Sequence, residues 1–177
     1  MVQQHGKGQP PQVELRRIEK EDVAEIVRMA RSVWREHFPG IITEAQIEYM
    51  LSKMYSQGAV SEEFERGLVE YCFIVHNGER VGFCSYGPSD HDGVMTVHKL
   101  YVLSRWQRHG FGKGALCRIE ALCRKRGFSG ISLAVNKGNS NAIRAYTSQG
   151  FTIHDSVAVD IGGGFIMDDY IMTKELR

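Results

Sequence analysis

Apolar positions along this chain change period several times, and each change marks an element. Val13 to Ile18 alternates apolar and polar residues, the two-residue period of a strand. Asp22 to Phe38 shifts to helical spacing, with Val23, Ile26, Val27, Ala30 and Trp34 on one face, and Pro39-Gly40 breaks the run. Thr43 and Gln46 have capping-box form at the head of a second helix, whose stripe is Ile47, Met50, Leu51 and Met54. Ser61 to Glu70 reads as a further short helix. From Tyr71 the period is two again: Tyr71 to His76 and Arg80 to Tyr86 read as strands joined by the hairpin dipeptide Asn77-Gly78. Val94 to Leu103 reads as a third long strand. Gly110 to Arg126 is a helix with Ala115, Leu116, Ile119, Leu122 and Cys123 on its apolar face. Gly127 ends it, after a basic last turn that suits the helix dipole. Ile131 to Val135 is a short buried strand, and Ala142 to Gln149 a helix stopped by Gly150. Phe151 to Val159 and Phe165 to Thr173 form a final hairpin across Gly162-Gly163-Gly164.

That order predicts an α+β (mixed α/β) fold, with long antiparallel stretches and crossovers confined to the second half. Met1 to Gln12 is polar, holds Gly6, Gly8, Pro10 and Pro11, and lacks any period. It is expected to be a disordered tail (residues 1–12) before one domain over residues 13–177. A chain of 177 residues can bury roughly 70% of its unfolded surface, so neither disulfides nor a metal are needed for stability.

Composition narrows the function classes. The 22 basic and 21 acidic side chains leave a formal charge of +1. That balance removes the electrostatic case for a nucleic-acid or membrane-surface partner. The N-terminus has no apolar run of the signal-peptide kind, and no segment approaches the ~20 apolar residues of a membrane span. The expected location is therefore the cytoplasm. Cys72, Cys84, Cys117 and Cys123 form no C-x-x-C pair, so these cysteines give no zinc or thioredoxin-type signature and no metal is expected. A homodimer is compatible with the sequence.

The most informative segment runs from Lys99 to Gly114. An apolar strand enters a turn of the form Gln107-x-x-Gly110-x-Gly112, and a helix follows at once. Backbone N–H groups converging at a helix N-terminus capture anions, and the helix dipole adds a favourable field. Glycine lets ligand oxygens approach the backbone. Arg108, His109 and Lys113 add cationic side chains, with Phe111 between them. A plain tight turn is the bland alternative. Gly110-x-Gly112-x-x-Ala115 also fits a dinucleotide fingerprint, but no Asp or Glu occurs between Glu120 and Asp155, where that fingerprint needs one. A P-loop fails because Gln107 stands where its first glycine belongs.

Downstream lies Asn139-x-x-Ala142-x-x-x-Tyr146-x-x-x-Gly150-Phe151. Alone, Asn139 reads as a helix cap and Tyr146 as a core tyrosine. Together, about thirty residues after Q-x-x-G-x-G, they resemble the paired signature of the GNAT superfamily of N-acetyltransferases, over essentially residues 13–177. The resemblance implies a twisted, mostly antiparallel sheet of about seven strands flanked by about four helices. It implies acetyl-CoA as cosubstrate, with Gln107, Arg108, His109, Gly110, Phe111, Gly112 and Lys113 holding the pyrophosphate. Tyr101 and Val102 would offer backbone groups to the pantetheine arm, and Asn139 a hydrogen bond to it. Tyr146 would stand beside the thioester sulfur as general acid. Ser104 departs from the proline common in the family after that strand.

The reaction so implied is direct attack of a neutral amine on the thioester. Neutralising an alkylammonium of pKa ~10.4 near pH 7 costs roughly 4–5 kcal/mol, so a base or a water chain to one is needed. The strand Val94 to Leu103 carries no glutamate. His98 is the candidate on it, with Asp90, His91 and Asp92 before it. Ile42 to Met50 and the ending Asp168-Asp-Tyr-Ile-Met-Thr-Lys are similar to a bacterial branch that includes spermidine/spermine acetyltransferases, which implies a small-molecule amine as acceptor. Trp34, Phe38, Glu44 and Tyr49 on the early helices are the expected pocket residues, an aromatic and acidic set suited to a cation. Acetylation of protein N-termini or lysines, and a non-catalytic acyl-CoA-binding role, stay open as alternatives.

Overall fold

The computed structural model describes residues 10–176, so most of the expected tail, residues 1–9, lies outside the described residues. The elements follow in the order β1 (Glu14–Arg17), α1 (Val23–His37), α2 (Glu44–Met54), α3 (Gln57–Arg66), β2 (Glu70–His76), β3 (Glu79–Pro88), β4 (Val94–Val102), α4 (Phe111–Lys125), β5 (Gly130–Asn136), α5 (Ser140–Thr147), β6 (Thr152–Gly162) and β7 (Phe165–Glu175). Among the described residues five α-helices form, one for each helical run read from the sequence, against the about four that the family resemblance implied. α3 begins four residues before the apolar stripe suggested, because Ser56 caps it by accepting the Ala59 N–H at 3.2 Å.

All seven strands join one sheet in the order β1-β2-β3-β4-β5-β7-β6. Every neighbouring pair is antiparallel except β4 and β5. The parallel pair needs a crossover, and α4 supplies it. One face of the sheet is covered by α1, α2 and α3 through Ile26, Trp34, Ile47, Leu51 and Val60, which meet Tyr71, Phe73 and Phe83. The other is covered by α4, whose Phe111, Ala115, Leu116 and Ile119 meet Cys72, Ile74, Met95 and Ile131. Strand β2 is buried on both faces, so its apolar run is continuous rather than alternating.

Two local features set up the site. At β3–β4 the register slips: Ser85 faces Lys99 and Tyr86 faces Val97, which leaves His98 as the extra residue of a β-bulge. Met95 and Val97 before the bulge, and Leu100 and Val102 after it, pack with the α4 side, whereas Tyr101 packs with the α1–α2 side. The second feature is the parting of the parallel strands. β4 and β5 pair from Val94↔Gly130 to Val97↔Leu133 and no further. Beyond that point a cleft opens between them. Among the described residues no helix is long and apolar enough to cross a membrane.

Candidate active site

A cavity of about 530 Å³ occupies the cleft, and its lining includes Gln107, Arg108 and Gly110 to Lys113 together with Trp34, Phe38 and Tyr55. Its walls also include the parted strands, with His98, Tyr101 and Val102 from β4 and Ala134 to Asn136 from β5. Asn139 and Tyr146 from α5 and Asp169 from β7 complete it.

The loop before α4 leads into a helix N-terminus, a geometry that can receive an anion. Arg108 lies at φ 63° and Gly110 at φ 83°, left-handed positions of the kind found in anion-binding backbone turns. Gly110 caps the helix, and a Cβ there would stand 3.0 Å from Pro11 Cδ. Gly112 differs: a Cβ there would meet only Val102 Cγ2, at 3.8 Å, so its missing side chain leaves open space on the cavity wall. Gln107 ties the loop to the sheet, since its Nε2 donates to Val102 O at 3.1 Å. His109 Nδ1 bonds Gln107 O at 2.8 Å. Arg108 and Lys113 are solvent-exposed on the cavity rim or near it.

Tyr146 is half-buried on α5, its ring 5.9 Å from Phe151. Burial pushes its phenol well above the ordinary tyrosine value, with the nearby Tyr101 phenol adding to the effect. It is therefore neutral throughout the physiological range. Asn139 caps α5, accepting the Ala142 N–H at 3.2 Å. Its Nδ2 contacts His37 Nε2 at 3.3 Å. An amide nitrogen can only donate, so that imidazole nitrogen must be unprotonated, in keeping with a His37 pKa lowered by burial. The cap and the cavity wall are thus roles of one residue.

The aromatic end is a packed group. Trp34 stacks on Phe38 at 4.3 Å and tilts against Tyr55 at 5.5 Å and Tyr101 at 6.3 Å. The Tyr55 hydroxyl donates to the Tyr101 hydroxyl at 3.3 Å. His98, on the bulge, also reaches the cavity. Its pKa is lowered by burial first and by the Lys99 cation second, with Glu63 opposing. Lys99 is buried and bonds Glu63 at 2.8 and 3.0 Å, and Glu63 accepts from the Tyr71 hydroxyl at 2.6 Å.

Of the four residues expected to shape an acceptor pocket, Trp34 and Phe38 line the cavity and Glu44 and Tyr49 do not. Glu44 is exposed at the start of α2. Tyr49 instead holds the β6–β7 turn, donating to Ile161 O at 2.7 Å with its ring against Phe165. The acidic group inside the cavity is Asp169, which the sequence reading left unassigned, as it did His37 and Tyr55. A signal for Asp169 existed: a period-two count along Phe165 to Thr173 puts it in phase with Met167 and Ile171, on the same face as two apolar residues.

Residues 24–151 match the model of the Acetyltransferase (GNAT) family, and the chain belongs to that family of N-acetyltransferases. A curated relative named spermidine N(1)-acetyltransferase, from Thermoplasma acidophilum, is 24% identical over 160 residues, which cover 88% of this chain and 96% of the relative. Among solved structures, a PaiA N-acetyltransferase from Thermoplasma acidophilum in complex with coenzyme A superimposes with a TM-score of 0.77 at 23% identity, over 92% of this chain and 98% of that one. A GCN5-related N-acetyltransferase from Rhodopseudomonas palustris gives a TM-score of 0.79 at 19% identity, over 97% and 100%. At those identities the structural likeness speaks for the fold.

Proposed function

We propose that this enzyme transfers the acetyl group of acetyl-CoA to a primary amine of a small cation of the polyamine class, by direct attack within a ternary complex. The observation that carries the reading is the continuity of the cavity, which joins an anion-binding helix start to an aromatic, acid-containing end. The two chemistries match the two substrates. The Gln107 to Lys113 loop suits the pyrophosphate of the donor, and the free edges of β4 and β5 past Val97 and Leu133 suit an amide-bearing arm. An aromatic box around a carboxylate suits an alkylammonium, which gains from ring faces and opposite charge together. The relative named for spermidine acetylation, similar along most of both chains, supports the acceptor class. The near-neutral charge of the whole chain gives no competing reason to expect a nucleic-acid partner.

Tyr101 and Val102 would align the pantetheine arm, with Asn139 facing it from α5. Tyr146 would act as the acid at sulfur. Its raised pKa makes full proton donation to a thiolate uphill, so it would give its proton to sulfur as it takes one from the attacking nitrogen. The test is a panel assayed by free-thiol release from acetyl-CoA: spermidine, spermine, aminoglycosides, amino acids, and peptides with free N-termini or lysines. Spermidine or spermine should show the highest kcat/KM. Turnover of a peptide at much higher kcat/KM than any small amine would refute the acceptor class and leave the family assignment intact.

A further inference from the structure

Three charged side chains in the described residues are buried: Lys99, Glu120 and Asp169. Lys99 is paired with Glu63, and Glu120 with Lys174 and Arg124. Asp169, 7% exposed, has no ion pair among the described residues. Lys137, the nearest cation acting on it, is bonded to the neighbouring Asp168. The Asn136 side chain supports the carboxyl of Asp169, and Asn136 is itself fixed by accepting the Gly138 N–H at 2.9 Å. A buried carboxylate with no counter-ion costs stability, and such groups are kept where they serve a ligand.

The position of Asp169 says which ligand. On β7 it stands directly opposite Asn136 of β5, three residues past Leu133, where β4 leaves β5. The carboxyl lines the cavity across the cleft from Tyr101, close enough for its charge to act on that phenol. Trp34, Phe38 and Tyr55 stand around the same end. The groups on other elements that act on it or are acted on by it are Tyr101 on β4 and Asn136 and Lys137 on and after β5, with His37 of α1 a neutral imidazole lining the same cavity. No cation among them is free to neutralise it.

We infer that Asp169 is the proton acceptor of the reaction: it receives the substrate ammonium and takes one proton from it before attack. This rests on the reading of the chain as an acetyltransferase of a small cationic amine. In the first step the N–H bond of R–NH3+ breaks and its proton passes to the Asp169 carboxylate, leaving R–NH2 with a free electron pair. That pair forms the C–N bond to the thioester carbon, and the C–S electrons leave with sulfur. The second nitrogen proton reaches sulfur through Tyr146, which gives one proton and regains one. Asp169 returns its proton to water, so the sum is amide, CoA thiol and one released proton. Burial raises the pKa of this carboxyl, and the same cavity disfavours the ammonium charge, so the two pKa values approach one another. His98 is a weaker acceptor for a cation, because it carries no negative charge and sits beside Lys99.

The experiment compares wild type, Asp169→Asn and Asp169→Glu with spermidine as probe, together with melting curves with and without acetyl-CoA. The expected result for Asp169→Asn is a loss of kcat/KM for spermidine on the order of 10²–10⁴-fold. Its melting temperature should equal or exceed that of wild type, its acetyl-CoA shift should be retained, and Asp169→Glu should recover part of the activity. A structural carboxylate would give the opposite stability result. Asp169→Asn turning over spermidine at the wild-type rate overturns this inference alone. So does a variant that melts well below wild type. Wild type that binds acetyl-CoA but acetylates neither spermidine nor spermine overturns the acceptor reading and this inference with it.

Discussion

Gly112→Asp isolates the anion site from the fold. Gly112 lies in the first turn of α4 with ordinary helical backbone, and a Cβ there meets nothing nearer than Val102 Cγ2 at 3.8 Å. The substitution should leave the ligand-free protein as stable as before. Replacing glycine by aspartate in a helix gains only about 0.3 kcal/mol of propensity, and an acidic side chain in the first turn gains about 0.3–1 kcal/mol more from the dipole. The ligand sees something else. A carboxylate about 4 Å from a phosphate charge, at an effective dielectric near 20, costs about 4 kcal/mol, which weakens binding roughly a thousandfold.

Wild type at 100 times Kd of acetyl-CoA should gain about 2.7 kcal/mol, a rise of about 5–11 °C for a chain of this size. At the same concentration the variant would sit near a tenth of its own Kd and gain less than about 0.1 kcal/mol. The assay is a melting curve with acetyl-CoA, with NAD as a control that should shift neither protein. A variant that melts normally without ligand and still shows the full acetyl-CoA shift would refute the loop assignment. A variant unfolded without ligand would refute the geometry drawn for Gly112.

Tyr146→Phe should lower kcat on the order of 10²–10⁴-fold with acetyl-CoA affinity nearly unchanged, checked by steady-state rates beside the melting shift; an unchanged, chemistry-limited kcat would return Tyr146 to a packing role. Because the folded pKa of Asp169 is raised, its carboxyl contributes stability below the unfolded value of about 3.9, and that stability is lost as pH rises through the folded value. Urea midpoints of wild type and Asp169→Asn should therefore converge near pH 3 and separate above it, with the variant more stable. Glu120→Ala strands the half-buried Lys174 and should cost about 2–3 kcal/mol, read as a fall of about 4–12 °C in Tm with kcat unchanged. Gly114→Val places a Cβ 2.7 Å from Pro11 O and should lower Tm by displacing the segment before β1 from α4.

What was legible in the sequence was whatever depends on local pattern. The strand and helix periods, the capping residues and the glycine turn are all written within a dozen residues of where they form, and the turn from Gln107 to Gly110 joins β4 to α4 as the pattern implied. Pairings across the sheet were not written that way. The insertion of β7 between β5 and β6 is a long-range choice, and it alone brings Asp169 beside Asn136. Hydrophobic period could show that Asp169 shares a face with Met167 and Ile171, but not that this face borders a cavity. Tyr49 and Glu44 failed as pocket residues for the same reason in reverse. They sit on a helix that does line the cavity, but the helix turns Gln46, Met50 and Met54 toward it instead.

The bulge at His98 explains how one short strand can reach both ends of the cavity. An unbroken β4 would send Met95, Val97, Lys99 and Tyr101 to one face and His98, Leu100 and Val102 to the other. With one residue inserted, Met95, Val97, Leu100 and Val102 all pack toward α4, while Tyr101 turns to Trp34 and Tyr55. Val102 can then take the hydrogen bond that fixes the Gln107 loop, and Tyr101, one residue away, can wall the aromatic end. The same bulge coincides with the last rung between β4 and β5, so the irregularity that redirects the side chains also ends the pairing that would close the cleft. The Gln107 loop and the aromatic end of the cavity are therefore both held by adjacent residues of one strand, Val102 and Tyr101. Deleting His98 should restore regular pairing while leaving Tyr101 on the α1–α2 side, since Leu100 and Val102 then simply alternate in phase with Met95 and Val97. By removing the irregularity where β4 and β5 part, it should let their pairing extend into the cleft and abolish acetyl transfer to every amine in the panel. A deletion variant that folds and still acetylates spermidine would show that the bulge is dispensable to the site.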